Sequence, residues 1–372
     1  MFDRIFLFWQ KHREQCKKRY WYNQKNVMAH DYNRKKHVPE LTEKEKKIID
    51  QYWAQFGICF QDYSWFRCFK NVTGVFDCKF IPNDIYAYII WPFYNTPYYI
   101  APWKDKNYFE RYLPELHFPA VIFRRIHGRY EDGSGKYLIS KENIQSIFSY
   151  PMEVIVKDAW DSGEGRGVKK YLIKTNDDVQ KLIKEWEASD NYLVQEVIKQ
   201  HPLFASFNES SVNIIRITSW RHGKDVDILS PTLRFGTPGS ATDVCFIDGV
   251  ETGYMVGITD DGHFKNTIVS FEGNKTELPK KYQNEIIPRW DDILSEIKSA
   301  HLKLQLFDII GWDVTVTNKG EIVFIEYNIK RPGTVFYQFA NGPFWSGFTD
   351  EMLSFLLDKD NQKKYIPKWL KC

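Results

Sequence analysis

The feature that most restricts how this chain can fold is a pair of strand-like stretches joined by a short polar turn. GWDVTVT covers residues 311–317, EIVFIEYN covers residues 321–328, and the turn contains Lys319–Gly320. Alternating apolar residues on both sides of a glycine-containing turn predict a β-hairpin. With Lys319–Gly320 as a two-residue turn, counting outward places Asp313 directly opposite Glu326. A three-residue turn would shift that register.

The predicted pairing brings two carboxylates together. Directly opposed residues of an antiparallel pair lie about 5 Å apart, where like charges destabilise a sheet. A divalent cation removes this conflict, and Asn328 shares the face of Glu326 because side chains alternate along a strand. Oxygen ligands of this kind favour Mg2+ or Mn2+. The hairpin therefore predicts a metal site at Asp313, Glu326 and Asn328; the alternative is that one of the side chains faces solvent.

Further helix and strand patterns precede the hairpin. Strands are predicted at 119–123, 152–157, 168–173, 192–198 and 211–220, and amphipathic helices at 176–188 and 290–304. Asn176 or Asp177 is the expected N-cap of the helix at 176–188. Nearer the N-terminus, Thr42 followed by Glu45 is a capping-box pattern that predicts a helix start. Mixed helices and strands of this kind predict an α+β fold.

A glycine-rich segment, DSGEGRGV, follows Lys157 and joins two predicted strands. Glycine lets backbone N–H groups approach an anion closely, and phosphate is the commonest such anion. The segment lacks the P-loop pattern, and a strand rather than a helix follows it, so it is not a dinucleotide-binding turn. We interpret it as a flap that closes over a phosphate tail while Lys157 supplies positive charge. The alternative is an ordinary hairpin turn.

Two other polar residues stand out. Arg216 lies within the apolar strand pattern SVNIIRITSW. A buried charge needs a partner, and a guanidinium suits either a phosphate group or a carboxylate of the protein. His201 follows the strand pattern of QEVIKQHP and precedes a proline; it is either a structural histidine or a ligand contact. Both alternatives stay open for each residue.

The composition limits the class of protein. The 372 residues are 43% hydrophobic, which supports packed cores and excludes a disordered chain. A net charge of +3 argues against a dedicated nucleic-acid-binding protein. Aromatic residues make up 17% of the chain, either as core or around a flat or sugar-like ligand.

The sequence also bears on location. No apolar run approaches the ~20 residues that a membrane-spanning helix needs, and no signal peptide is apparent. The six cysteines contain no CxxC pair, so reduced thiols are expected. These features predict a cytoplasmic protein without a transmembrane segment.

Together these segments resemble an ATP-grasp enzyme, and more narrowly the sugar-transfer-associated ATP-grasp proteins found with bacterial surface-polysaccharide genes. They occur in the family's order over residues 80–335. The matching segments are IPNDIYAYII, DKNYFERY, MEVIVKDAWDSGEGRGV, YLVQEVIKQHP, SVNIIRITSW and GWDVTVTNKGEIVFIEYN. One departure lies at Asp243-Val244 and Asp248-Gly249, where the family tends to carry Asp-Asn and Gly-Gly. This departure weakens what the resemblance implies about the acceptor pocket.

The resemblance implies ATP and Mg2+ (or Mn2+) as cofactors and assigns roles by position. The implied nucleotide-binding residues are Lys106, Lys157, Gly163, Glu164, Gly165, Arg166, Gly167, Gln195, Glu196, Val197 and His201. The implied catalytic residues are Arg216 and Lys157, and the implied metal ligands are Asp313, Glu326 and Asn328. Candidate substrate contacts are Asn213, Arg234, Asp243 and Lys330.

The resemblance also implies an ATP-grasp fold in which two α+β subdomains grip ATP. The expected domains are an N-terminal extension (1–104), a first ATP-grasp segment (105–150), a small lid (151–198), a C-terminal subdomain with the metal hairpin (199–345) and a tail (346–372).

The implied activity is a ligase that joins a carboxylate to an amine, thiol or hydroxyl through an acyl phosphate. A sugar or an amino acid is the implied small-molecule substrate, for example a uronic acid joined to an amino acid in capsule or O-antigen synthesis. One alternative is an ATP-grasp phosphotransferase. Another is a non-catalytic ATP-binding adaptor of glycosyltransferase machinery, in which the basic, aromatic residues 1–22 contact the inner face of the membrane.

Overall fold

The computed structural model describes residues 26–138, 141–160, 167–240, 242–247, 250–358, 360–361 and 365–372. The chain forms two compact units. Unit 1 contains the described residues up to Thr96 together with Glu272–Thr276 and Gly333–Cys372, and unit 2 contains Pro97–Phe271 and Glu277–Pro332. The predicted loop residues Gly163, Glu164, Gly165 and Arg166, the N-terminal stretch 1–22 and Asp248-Gly249 lie outside the described residues.

Unit 1 is helical. Its α-helical segments are 26–35, Glu43–Ala54, Ser64–Thr73, Asn83–Ile85, Trp91–Tyr94, Val335–Asn341 and Thr349–Leu356; Tyr86–Ile90 is π-helical, and Ser346–Phe348 and Lys368–Leu370 are 3-10 turns. The predicted capping box is confirmed. The backbone N–H of Glu45 donates to Thr42 Oγ1 at 3.2 Å, and that of Thr42 donates to the Glu45 carboxylate at 2.9 Å. The capped helix buries Ile49 and Trp53.

The cysteines of unit 1 correct the expectation of reduced thiols throughout. Cys59 and Cys372 form a disulfide with a Cα–Cα distance of 5.0 Å, a separation typical of disulfides. Two backbone hydrogen bonds accompany it, from the N–H of Cys59 to Leu370 O and from the N–H of Cys372 to Gly57 O. Cys68 and Cys78 are free thiols. Among the described residues, no helix is both long and apolar enough to cross a membrane.

Unit 2 begins with a six-stranded antiparallel sheet. Its strands are β1 (Val121–Ile126), β2 (Arg129–Asp132), β3 (Tyr137–Leu138), β4 (Met152–Asp158), β5 (Val168–Ile173) and β6 (Tyr192–Glu196), in the spatial order β3-β2-β1-β6-β4-β5. The helix Asn176–Glu185 packs Val179, Leu182 and Ile183 into the core of this sheet. The strands predicted at 152–157 and 168–173 are confirmed.

The N-cap of that helix differs from the prediction. Thr175, not Asn176 or Asp177, is the N-cap. Its backbone is extended, with φ −145°, and its Oγ1 accepts the backbone N–H of Asp178, whose carboxylate accepts the N–H of Thr175. Thr175 is the N-cap because it forms a reciprocal capping box with Asp178.

The second sheet carries the predicted hairpin. Its strands are β7 (Ile214–His222), β8 (Asp225–Phe235), β11 (Tyr254–Ile258), β12 (Phe264–Ser270), β13 (Lys275–Glu277), β14 (Ile309–Val316) and β15 (Ile322–Asn328), in the order β13-β12-β11-β8-β7-β14-β15. A separate ribbon pairs β9 (Cys245–Ile247) with β10 (Val250–Thr252). The helix Trp290–Lys303 buries Ile293 and Ile297.

Short helical segments connect these strands. They are Ile100–Trp103, Phe109–Tyr112, Lys141–Gln145 and Pro202–Ala205, with 3-10 turns at Pro97–Tyr99, Lys106–Tyr108 and Lys280–Tyr282. With the two sheets and their helices, the predicted α+β fold class is confirmed.

The register of the β14–β15 hairpin is as predicted, but for a different reason. The turn has three residues, because the N–H of Thr317 donates to Glu321 O at 2.8 Å. The prediction of a two-residue turn was therefore wrong, and a three-residue turn alone would have misaligned the acids. A β-bulge between the pairs Val314–Phe324 and Asp313–Glu326 adds one residue and restores the predicted pairing.

Candidate functional site

The site is built on the middle strands of the second sheet. Asp313 on β14 pairs with Arg216 on β7 on one side and with Glu326 on β15 on the other. Residues directly opposite each other on neighbouring strands share a face, and Asn328 lies two residues beyond Glu326. The sheet therefore gathers Arg216, Asp313, Glu326 and Asn328 on one face, as the hairpin pattern predicted for the last three.

Arg216 and Asp313 form a buried ion pair. Arg216 Nη2 donates to Asp313 Oδ2 at 2.7 Å, and Arg216 Nε donates to Oδ1. The side chain of Arg216 is 9% exposed and that of Asp313 is 3% exposed. The Asn328 amide nitrogen donates to Asp313 Oδ2 at 3.1 Å and to Glu326 Oε1 at 3.3 Å. Of the two alternatives for Arg216, the structure shows the carboxylate partner.

Lysines face the second acid. Lys106 lies on the 3-10 turn that the capping side chain of Asp105 starts, and its Nζ lies 3.4 Å from Glu326 Oε2. Burial raises the pKa of Glu326, but the positive charges of Lys106, Lys157 and Arg216 outweigh this effect and lower the pKa to about 2. Glu326 is therefore an ionised acceptor throughout the physiological range.

A cavity opens beside Lys106. Its lining is formed by Lys106, Phe109, Glu110, Phe118, Val121, Lys157, Leu193, Gln195 and Ile325. Three of the residues predicted to bind a nucleotide thus line one space, although they come from the turn at Lys106–Tyr108, from β4 and from β6. The bulge residue Ile325 forms part of the apolar wall.

Lys157 differs from the other cations of the site. Lys106, Arg216 and Arg234 each lie within 4 Å of a carboxylate, whereas the described residues offer the side chain of Lys157 no hydrogen bond or ion pair. Burial lowers the pKa of Lys157 to about 8, against the attraction of Glu326. The cavity thus holds a cation that is charged near neutral pH and has no protein partner in the described part of the chain.

Gln195, Glu196 and Val197 lie at the end of β6. Gln195 is buried and its amide nitrogen donates to Pro119 O at 3.1 Å. Glu196 is exposed, and Val197 follows the strand. Only Gln195 of these three lines the cavity.

The residues predicted to contact substrate separate into three environments. Arg234 Nε donates to Asp243 Oδ2 at 2.7 Å, so these two residues form one ion pair. Asn213 is fully buried, and its amide nitrogen donates to Phe204 O at 2.6 Å and to Asn208 O at 2.8 Å. The Asn213 side chain therefore stabilises the segment that contains Phe204 and Asn208, and it is shielded from solvent. Lys330 is exposed.

His201 has a visible structural task. It is the N-cap of the short helix Pro202–Ala205, where its Nδ1 accepts the backbone N–H of Leu203 at 3.2 Å. Among the two alternatives for His201, this hydrogen bond corresponds to the structural one.

Gly167 is the described end of the predicted glycine-rich flap. It takes a φ of +72°, and its carbonyl accepts the backbone N–H of Asp158 at 3.1 Å. A Cβ at this position would lie 2.5 Å from Asp158 Oδ2. Both the backbone conformation and the space therefore require glycine here.

Residues 170–350 match the model of the family described as sugar-transfer associated ATP-grasp. This stretch, 181 of the 372 residues, is similar to that ATP-grasp family. The resemblance drawn from the motifs is thereby confirmed, and the matched stretch includes Arg216, Asp313, Glu326 and Asn328. Lys106 and Lys157 precede it, so their assignment depends on the cavity they line.

Several solved structures are similar to this chain at low identity. D-alanyl-alanine synthetase A from Vibrio cholerae shows 15% identity and a TM-score of 0.40 over 68% of this chain and 65% of that chain. VanG D-Ala:D-Ser ligase from Enterococcus faecalis shows 14% identity and a TM-score of 0.41 over 68% and 60%. N5-carboxyaminoimidazole synthetase from Staphylococcus aureus shows 11% identity and 0.36 over 62% and 46%.

The chain thus spans less than two thirds of the length of each of these three structures. No curated protein matches its sequence.

The acidic residues differ in how well they fit the magnesium ion that the family implies. Glu326 is an ionised oxygen donor, and Asn328 offers an amide oxygen on the same face if its amide is turned. Both oxygens of Asp313 are engaged by Arg216, so Asp313 fits the ion only when Arg216 releases it. The described residues contain no group of three or more His, Cys, Asp or Glu side chains that suits a metal. This donor set fits Mg2+, which commonly uses one or two carboxylates together with phosphate oxygens.

Sequence reasoning missed two parts of the site. Ile325 is not singled out by the sequence pattern, and the structure places it at the bulge and in the lining of the cavity. Glu110 and Arg124 were not singled out, although Glu110 lies in the quoted segment DKNYFERY and Arg124 is a charged residue in the pattern of β1. A charged residue within an apolar strand was the signal that could have identified Arg124.

Proposed function

We propose that this ATP-grasp protein is an ATP- and magnesium-dependent ligase, which activates a carboxylate as an acyl phosphate and transfers the acyl group to an amine, thiol or hydroxyl. The observation that carries the proposal is Lys157, a cation without a protein partner among the described residues, which lines a cavity beside Lys106 and Glu326. An ammonium that is partly removed from water and has no hydrogen-bonded partner is stabilised when an anion joins it. The triphosphate of ATP is the anion that the family implies.

The phosphates are bound from two sides in this proposal. Lys106 and Lys157 contribute positive charge from within the cavity, as ammonium groups commonly do for phosphates. Arg216 joins them by exchanging its partner: the γ-phosphate takes the place of the Asp313 carboxylate. The exchange preserves a charge-assisted pair for the guanidinium and releases Asp313 towards the cavity.

Glu326, Asn328 and the released Asp313 are the residues that would hold magnesium. When bound, the ion neutralises charge on the phosphate oxygens. The remaining work falls to side chains that bind and orient. Gln195 and the wall formed by Leu193 and Ile325 border the space in which the rest of the nucleotide lies.

The proposed reaction has two steps. An oxygen of the substrate carboxylate attacks the γ-phosphorus, and the bond to the β,γ-bridging oxygen breaks, so that ADP leaves and an acyl phosphate forms. The nucleophile then attacks the acyl carbon; the bond between that carbon and the phosphate oxygen breaks, inorganic phosphate leaves, and the nucleophile's proton passes to solvent. Positioning and charge neutralisation are the main contributions of the protein to such transfers.

The substrate class follows from the family resemblance alone. A sugar carboxylate, such as a uronic acid, together with an amino acid is the first pair to test, and surface-polysaccharide synthesis is the proposed setting.

An ADP-release screen of uronic acids crossed with amino acids tests the proposal. The expected result is ADP and phosphate in equal amounts, with release dependent on both co-substrates and on Mg2+. Glu326→Gln is the matched inactive variant. Turnover with one acceptor that keeps the phosphate would identify a phosphotransferase instead. If the protein binds the nucleotide but turns over no pair, the non-catalytic ATP-binding adaptor is the alternative that fits.

A further inference from the structure

Lys106 is carried by a segment that has little stability of its own. The 3-10 turn Lys106–Tyr108 and the helical segment Phe109–Tyr112 contain three and four residues. Helices this short are not stable in isolation because the first turn fixes several residues for one hydrogen bond. The place of Lys106 Nζ in the cavity, 3.4 Å from Glu326, therefore depends on contacts that other elements make with this segment.

Arg124 makes two of these contacts. It lies on β1 with 1% of its side chain exposed. Its Nη1 donates to the backbone carbonyl of Asn107, the residue after Lys106, and its Nη2 donates to the carboxylate of Glu110, one turn further on. The guanidinium thus ties both the 3-10 turn and the helical segment to β1, next to a longer hydrogen bond from the Asn107 amide to Arg125 O at 3.5 Å that side-chain variants of Arg124 and Arg125 retain.

The contacts of the turn itself complete this attachment. The backbone N–H of Lys106 donates to Ala159 O, just after β4, at 3.1 Å. Asp105 Oδ1 accepts the N–H of Asn107 at 3.0 Å. Among Arg124, Ala159 and Asp105, Arg124 is the residue that donates to a carbonyl of the turn, and it does so from strand β1.

We propose that Arg124 is a positioning residue for Lys106. It does not line the cavity, and it acts on the nucleotide only by fixing the segment that directs the Lys106 ammonium into it. The effect on nucleotide binding rests on the proposed function, whereas the effect on the turn does not.

The geometry explains why arginine is needed. The planar fork of a guanidinium reaches a carbonyl and a carboxylate at once, and an ammonium group has no such fixed pair of donors. Loss of the guanidinium should still leave a folded protein, because the Glu110 side chain is 34% exposed and can be hydrated instead.

A double-mutant cycle tests the proposal. Affinity for a non-hydrolysable ATP analogue with Mg2+ is measured by calorimetry for the wild type, Arg124→Met, Lys106→Met and the double variant. We expect Arg124→Met to weaken binding about tenfold in the wild type and less than about twofold in the Lys106→Met background, since interacting residues couple in this way. Arg124→Lys should recover only part of the loss.

Arg125→Met is the matched control. Arg125 is the next residue of β1, and its guanidinium bonds the carbonyls of Glu187 and Ser189, away from the Lys106 turn. Its removal should leave analogue affinity within about twofold of the wild type. Equal losses for Arg124→Met in both backgrounds, or the same loss in Arg125→Met, would overturn the proposal.

Hydrogen exchange provides a readout that does not need a nucleotide. The amides of Lys106, Asn107 and Tyr108 should exchange faster in Arg124→Met than in the wild type, with the amides of β4 and β5 unchanged. If the wild type fails to bind the analogue, the proposed function fails, while this local change would still support the positioning role. Unchanged exchange at the three amides would refute it.

Discussion

Two polar clusters share the strands β7 and β14, and they differ in how completely their groups are paired. The carboxylate cluster consists of Arg216, Asp313, Glu326 and Asn328. The serine cluster consists of Ser219, His301 and Trp312. Strand β7 contributes Arg216 and Ser219, and β14 contributes Asp313 and Trp312. Neighbouring residues of a strand point to opposite faces, so Trp312 and Asp313 serve different surroundings.

The serine cluster is closed. Trp312 Nε1 donates to Ser219 Oγ at 2.7 Å, and Ser219 Oγ lies 2.6 Å from His301 Nδ1. His301 Nε2 lies 2.9 Å from Phe307 O, so Nε2 carries the proton and Nδ1 accepts from the serine hydroxyl. All three side chains are fully buried, and burial lowers the pKa of His301 to about 3. A serine–histidine pair of this kind is structural because no substrate reaches it.

The carboxylate cluster is open. It consists of charged groups, Glu326 is 23% exposed, and the neighbouring cavity contains Lys157 without a partner among the described residues. A closed network of neutral groups stabilises the fold, whereas an incomplete network of charges is completed by a ligand. Substitutions in the carboxylate cluster and its cavity should therefore impair the nucleotide site, whereas substitutions in the serine cluster should impair stability alone.

Glu326→Gln should have the largest effect. The substitution keeps the size of the side chain and removes the negative charge that faces Lys106, Lys157 and the proposed metal. We expect ADP release to fall by about two to three orders of magnitude, with the circular dichroism spectrum unchanged. Glu321→Gln, at the exposed turn of the same hairpin, is the control. Near-wild-type turnover in Glu326→Gln would contradict the metal assignment.

Lys157→Ala should mainly weaken nucleotide binding. A charge-assisted hydrogen bond contributes about 1.5–3 kcal/mol, so affinity for a non-hydrolysable ATP analogue should fall about ten- to a hundredfold. Calorimetry measures this directly. Lys170→Ala is the control on the same hairpin, since Lys170 pairs with Glu153 at the surface. An equal loss in both variants would show a general effect of lysine removal.

The pH dependence of binding should report Lys157. Its pKa is lowered to about 8, so the ammonium that attracts phosphate is present below this value and is lost above it. Affinity for the analogue should be constant below about pH 7 and fall about tenfold by pH 9. Lys157→Arg should remove this step, because a guanidinium stays charged. A step that persists in Lys157→Arg would assign it to another group.

Ser219→Ala should leave the nucleotide site unchanged. It deprives Trp312 Nε1 and His301 Nδ1 of their shared partner, and unsatisfied buried groups cost about 1–3 kcal/mol. Urea unfolding should show this loss, and analogue affinity should equal that of the wild type. The exposed Ser146→Ala is the control, with a change below about 0.5 kcal/mol. Loss of nucleotide affinity in Ser219→Ala would remove the distinction between the two clusters.

In unit 2, the sequence predicted the helices and strands better than it predicted which side chains contact one another. Period-two and period-3.6 patterns identified β4, β5 and the helix Asn176–Glu185, because burial of one face leaves a direct trace in the residue order. The capping residue was misplaced by one or two positions, since Thr175, Asn176 and Asp177 are all good N-caps and only backbone geometry selects among them.

Side-chain partners were not predictable in the same way. The bond between Arg216 and Asp313 depends on β7 and β14 becoming neighbours, although 97 residues separate them. Cys59 and Cys372 are 313 residues apart, and nothing in their local sequence indicates that they meet. The contact of Arg124 with the Lys106 turn depends equally on tertiary placement.

The β-bulge of β15 has a consequence for the chemistry of the cavity wall. In a regular strand the side chains of Ile325 and Glu326 would point to opposite faces of the sheet. The bulge leaves Ile325 unpaired and part of the apolar lining of the cavity, while Glu326 stays opposite Asp313 on the neighbouring strand. Deleting Ile325 would remove the bulge and one apolar group from the lining of the cavity, and Asp313 would still lie opposite Glu326.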